Sequence, residues 1–224
     1  MTTLEDNLIE LLKGNWVMNK ELTGDTDPIL KLQKVPWLLR RALATVTIHL
    51  KISGFLTPSP LEEKPLPDIE FIQTATGGLV GTTEKRTLNW EIQAHADYIF
   101  GSVQHQSHFI RGTTDARGYI RPEFEMQTSI DSAEIKQFLR GEIMLDGSES
   151  PGFLLDNPNS RGDGKDRMDI WIHTFERNLQ SGWTAEQIWG FESIGATRYF
   201  CRRVVVASIE GRYKGARLVY GFRR

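Results

Sequence analysis

Five histidines, one cysteine and six tryptophans hold most of the reactive or recognition chemistry in this chain of 224 residues. Acyl-transfer hydrolysis needs a nucleophile, a base and an orienting acid held together. No Gly-x-Ser-x-Gly elbow occurs, and Cys201 stands mid-strand between Phe200 and Arg202, where a small strand filler is the simpler reading. His105 and His108 form the one close histidine pair. On a strand, residues three apart face opposite sides of the sheet, so these two do not share one ion, and no metal site is expected. His49, His108 or His173 could each ligate a haem in an apolar pocket, but no second cue accompanies them. Arg161-Gly162-Asp163 matches an adhesion tripeptide by coincidence. Neither Thr76-Gly77-Gly78 nor Gly162-Asp163-Gly164-Lys165 stands between a strand and a helix, as a phosphate loop must.

Aromatic residues give a richer pattern. Trp171 and Phe175 share one strand face with His173 between them, and Trp183, Ala185, Gln187, Trp189 and Phe191 share a face of the next strand. Trp90, Phe71 and Phe100 add to the set. Such residues either fill a core or wall a cavity. In the second case the interleaved polar residues His49, Gln73, His108, His173 and Arg202 orient a guest, because each would cost a few kcal/mol if buried with no partner. Cavity candidates are therefore His49, Gln73, Trp90, His108, Trp171, His173, Gln187, Trp189, Phe191 and Arg202. Alternation alone leaves open which face of each strand points inward, and no catalytic residue is assigned.

The elements that must carry these residues are mostly strands. Residues 3–13 read as an amphipathic helix stopped by Gly14, and Gly14-Asn15-Trp16 opens the first strand. Asp27-Pro28 and then Pro36 start two short helices across about 27–43, inserted between the first two strands as a lid. Strands are expected at 45–52, 69–76, 81–90, 92–100 and 103–110, and again at 168–175, 184–192, 199–207 and 216–222, with turns at Gly182, Gly195 and Gly211. Pro58, Pro60, Pro65 and Pro67 mark a loop. A helix at 132–140, capped by Asp131, lies within a long insertion at about 111–166, which is expected beside one mouth. The prediction is an all-β fold: one closed antiparallel barrel of about nine or ten strands with short capping helices, forming a single domain over 1–224. Trp16 and Arg217, from the first and last strands, are expected to stack as its plug.

Composition limits the function. A net charge of −2 provides no basic face for nucleic acid. The acidic start Met1-Thr2-Thr3-Leu4-Glu5-Asp6 lacks a secretory apolar stretch, and no run approaches the ~18 apolar residues that span a bilayer. An intracellular, cytoplasmic protein that binds hydrophobic small molecules is expected, its oligomeric state open.

The early Gly-x-Trp and the late strand arginine resemble the calycin superfamily of lipocalins and fatty-acid-binding proteins. Gly14-Asn15-Trp16-Val17-Met18-Asn19-Lys20, the stretch from Asp27 to Arg41, Gln73 to Gly78 and Gly182 to Glu192 further resemble a group of fungal lipocalin-like proteins. Some of that group are similar to hetero-Diels–Alderases of fungal tropolone sesquiterpenoid pathways. The resemblance implies a pericyclase that joins a tropolone-derived ortho-quinone methide to a humulene-type alkene. Such an enzyme would need no cofactor. The alternatives are a non-catalytic carrier of a fatty acid or terpenoid, with Arg202 or Lys51 meeting a carboxylate, and a haem-holding barrel.

Overall fold

Runs in which apolar and polar residues alternate become strands because one face of each can be buried while the other stays wet. The computed structural model describes residues 4–57, 66–78, 81–130, 132–153 and 169–223. Helix α1 (Leu4–Leu12) precedes β1 (Gly14–Met18), and α2 (Asp27–Leu32) and α3 (Trp37–Thr45) intervene before β2 (Ile48–Thr57). Strands β3 (Leu66–Ala75), β4 (Thr82–Thr87), β5 (Gln93–Asp97), β6 (Gly101–Thr114) and β7 (Ile120–Pro122) follow, then α4 (Ala133–Leu139). The chain finishes with β8 (Ile170–Asn178), β9 (Thr184–Ile194), β10 (Thr197–Ala207) and β11 (Tyr213–Arg223). Gly182, Gly195 and Gly211 turn the last strands at positive φ, as expected. The Pro58, Pro60 and Pro65 positions, Asp131, the Arg161-Gly162-Asp163 tripeptide and Gly164-Lys165 lie outside the described residues. Ser132 stands as the N-cap of α4.

The strands pair antiparallel in one strongly curled sheet, ordered β4-β3-β2-β1-β11-β10-β9-β8-β6-β5, with β7 on β6. The expected closed barrel is found only in part. No ladder joins β4 to β5 among the described residues. Instead β4 and the residues after it approach β6 through an isolated bridge between Asn89 and His108, a Trp90 N–H donating to the Ser107 carbonyl at 2.9 Å, and Arg86 donating to Ser107 Oγ at 3.1 Å.

The curl separates two apolar cores. Inside it, Trp16, Leu50, Ile52, Ile69, Phe71 and Trp189 pack with α1. Outside, β8, β9 and β10 present Trp171, Ile188 and Val205 to Ile135, Phe138 and Leu139 of α4. The described part of the long insertion thus lies across the outer face of the sheet, not beside a mouth. The reason is composition: β8 to β10 are buried on both faces, and an apolar outer face needs a cover.

The expected stack of Arg217 on Trp16 does not form. Trp16 donates its indole N–H to the Leu12 carbonyl at 2.8 Å and meets Phe222 edge-on at 5.0 Å. Arg217 points to the other side of β11, where it lies 3.3 Å from Glu192. Ala216 and Leu218 take the inward positions, so strand parity sends the residue between them outward.

Candidate functional site

Inside the curl, strand alternation directs Met18, Ile48, Val103, Val204 and Leu218 to a cavity of about 190 Å³. Helices α2 and α3 roof it with Ile29, Leu30 and Leu43. That helical roof between the first two strands was legible in the sequence. One side of the cavity is polar and gathers Gln73, Glu84, Glu176, Gln187, Arg202 and Tyr220.

The polar side is a chain of contacts. Arg86 of β4 is fully buried and pairs with Glu84 at 2.5 Å and with Glu176 of β8. Burial alone would lower Arg86, but the two carboxylates outweigh it and hold its pKa above the ordinary value. Arg202 has a different environment. Its Nε and Nη2 donate to Gln187 Oε1 at 3.2 and 2.8 Å, and its guanidinium lies 4.5 Å from the Trp189 ring. Gln187 Oε1 also accepts from the Trp189 indole at 3.1 Å. No carboxylate among the described residues pairs with Arg202. Burial raises the Tyr220 phenol, and the neighbouring guanidinium partly offsets that rise. The cavity therefore holds one uncompensated cation, fixed by an amide oxygen and an aromatic face.

Of the residues singled out in the sequence, Gln73, Gln187 and Arg202 line this cavity, and Trp189 forms the floor beneath Arg202. Phe191 lies deeper, 6.0 Å from Trp16. His49, Trp90, His108, Trp171 and His173 are on the outer face, contrary to expectation. His49 falls between the inward Ile48 and Leu50, and Trp171 and His173 alternate with the inward Ile170 and Ile172. Glu84, Arg86, Glu176 and Tyr220 were not singled out, and His105 was weighed only with His108 as a metal pair. For the charged ones the local signal was a run of adjacent charges on β4 and at the end of β8, a pattern that on its own reads as solvent-facing.

The outer histidines form a separate relay. His173 Nε2 lies 3.0 Å from Glu186 Oε1, and His173 Nδ1 lies 3.2 Å from His108 Nε2. Glu186 also accepts the backbone N–H groups of Gln127 and Thr128 at 2.9 Å each. With Glu186 as the acceptor His173 donates from Nε2, and a neutral ring then has Nδ1 to accept from His108. Trp90, held at a φ of 64°, covers both imidazoles with ring centroids 4.1 and 4.9 Å away. The relay fastens the insertion to the sheet. His105 faces inward and His108 outward, so this pair cannot bind one ion, as the spacing implied. Cys201 is buried, and desolvation raises its thiol well above the ordinary pKa, which suits a strand filler.

Burial lowers both His105 and His108 to about 4, with Arg86 adding to the effect at the first and His173 at the second. Between pH 6.5 and 4 the unfolded chain binds more protons than the folded one. Stability is therefore complete above the unfolded value and declines as pH falls toward the folded one. Urea midpoints are expected to drop progressively between pH 6.5 and 4.5, and His105→Gln to flatten part of that slope. Midpoints constant across this interval would refute the assignment.

No helix among the described residues is long and apolar enough to cross a membrane. No protein-family model matches the chain. In overall shape it can be superposed, at a TM-score of 0.43 and 10% identity, on As-p18, an extracellular fatty acid binding protein, covering 96% of this chain and 99% of that one. The sequence is 24% identical over 201 residues to the probable pericyclase scpY of Mollisia scopiformis, covering 87% of this chain and 81% of the relative. It is also 24% identical over 193 residues to the pericyclase pydY of an Acremonium species, covering 86% and 81%. Over most of its length, then, this chain is similar to two proteins named pericyclases.

Proposed function

We propose that the chain is a pericyclase whose reaction takes place in the cavity beneath α2 and α3. The observation that carries this reading is Arg202: a charged donor held by Gln187 at the polar side of a cavity whose other side is apolar. A cycloaddition moves electrons around a ring of reacting atoms, with no covalent bond to the protein and no proton relay. The site must hold the partners in register, exclude water and stabilise charge that develops in the transition state. Holding them near the attack geometry can contribute about 7–11 kcal/mol. In its finer form the reading is a cofactor-independent hetero-Diels–Alder coupling of a tropolone-type ortho-quinone methide with a humulene-type alkene. As that ring becomes aromatic its oxygen gains negative charge, and Arg202 donates to it. An apolar cavity of about 150 Å³ admits benzene. One of about 190 Å³ therefore seats the ring-sized reacting part, while the remaining hydrocarbon lies toward α2 and α3.

The test is direct. Purified chain, incubated with a quinone methide generated in situ and a humulene-type alkene, should give one stereoisomer faster than the background. A rate equal to background with a racemic product would dispose of the reading. The same unpaired Arg202 favours one second reading, a carrier in which the guanidinium holds a ligand carboxylate. Native mass spectrometry of chain purified from its own host would then find a stoichiometric lipid.

A further inference from the structure

Helix α3 contributes no buried residue, although it roofs the cavity beside α2. Its first turn exposes Trp37 at 64% and Leu38 at 72%. The cations Lys31, Lys34 and Arg41 stand exposed around them, and Arg41 lies 5.9 Å from the Trp37 ring. None of the three has a carboxylate partner among the described residues. Arg40 is mostly buried and paired with Asp27, so it is not part of this surface. Over residues 27–45 the sequence carries four cations and one carboxylate, while the whole chain carries a net charge of −2. Elsewhere Ile209 in the β10–β11 turn and Leu179 in the β8–β9 turn are also exposed, Ile209 beside Gly182.

We infer that this face docks on an anionic lipid surface, with Trp37 and Leu38 entering the headgroup boundary and Lys31, Lys34 and Arg41 meeting lipid phosphates and carboxylates. A short helix with an exposed Trp–Leu edge flanked by cations has the composition of an interfacial helix. Each cation at such a surface strengthens binding additively. Local charge is what selects lipid over a second copy of the chain. Two copies meeting on this face would bring six exposed cations together, whereas an anionic bilayer neutralises them. Docking places the helical roof of the cavity against the medium in which apolar guests are dissolved. It does not depend on whether the guest is transformed or only held.

The test uses the full chain in flotation with two kinds of vesicle, pure phosphatidylcholine and phosphatidylcholine with about a third phosphatidylserine. The chain should float with the anionic vesicles and remain behind with the neutral ones. Trp37→Ala/Leu38→Ser/Arg41→Glu should reduce the floated fraction about tenfold, in line with the lost apolar and charge contributions. Its far-ultraviolet circular dichroism should be unchanged, because the three replaced side chains are exposed. A second measurement avoids any loss of fold: brominated lipid should quench part of the wild-type fluorescence, and Trp37→Phe should still float while losing that quenched part. Three results would overturn the inference: no flotation on anionic vesicles, equal flotation of the triple variant, or a dimer in sedimentation that the triple variant dissolves. The last would assign the face to a second copy of the chain.

Discussion

Replacing Arg202 with methionine is expected to slow the proposed cycloaddition roughly 10²- to 10³-fold, the usual loss when one preorganised donor to a developing oxyanion is removed. Methionine retains the contact with Trp189, and Gln187 Oε1 still accepts from the Trp189 indole, while the buried Tyr220 hydroxyl gives up its hydrogen bond with the guanidinium. The variant should therefore fold, and thermal unfolding would verify it. The kinetic signature separates the two proposed functions. A donor that acts on charge appearing in the transition state lowers kcat and leaves KM nearly unchanged. An arginine that only anchors a ground-state carboxylate weakens binding and has no rate to change. Arg202→Lys should recover only part of the rate, since one ammonium cannot span the two contacts that Nε and Nη2 make with Gln187. A full rate for Arg202→Met in the coupled assay would remove the residue from the mechanism.

Much of the frame was legible because strand and turn signals are local. The helical roof is an example: Asp27-Pro28 and Pro36 announce two helix starts, and those helices border the cavity. Sidedness was another matter. Alternation states that two faces differ, yet not which is inside, and β8 to β10 are buried on both. On β8 the aromatic parity, Trp171 and Phe175, looked inward by richness, but it is the outward one, and Trp171 belongs to the core under α4. Glu176, with the opposite parity, faces the cavity. Strand β4 reads Thr-Thr-Glu-Lys-Arg-Thr, which resembles a solvated edge. Glu84 and Arg86 are nonetheless inward because Arg86 finds Glu176 ninety positions later, a pairing that no local pattern encodes. The stack of Trp16 on Arg217 failed for the same reason in reverse. Both residue types were present, but parity placed them on opposite faces of the sheet.

Arg203→Met is expected to lower stability by about 3–5 kcal/mol, the cost of leaving a buried charge and its partners uncompensated. The melting temperature would then fall by something on the order of 10 °C for a chain of this size. Arg203 is 0% exposed. Its Nε donates to Glu192 at 2.7 Å, its Nη1 to the carbonyls of Phe138 and Ile143 at 3.0 and 2.8 Å, and its Nη2 to Ser150 Oγ at 2.8 Å. One side chain thus ends the exposed carbonyls of α4 and ties the following turn to β10. Glu192 retains Arg217 and the Phe138 carbonyl retains the Gly141 N–H, but the Ile143 carbonyl loses its donor. For that reason Arg203→Met/Glu192→Leu should not recover the loss, although swapping an isolated buried ion pair for apolar groups often does. Arg121 holds the same segment through the carbonyls of Gly141, Ser150 and Gly152, so the variant should loosen residues 132–153 without releasing them fully. Hydrogen exchange should accelerate there and leave β1 and β2 protected. If instead the denaturation midpoint moved by less than about 1 kcal/mol, the outer core would owe its position to Phe138 and Leu139 packing alone, and the buried guanidinium would be a passenger.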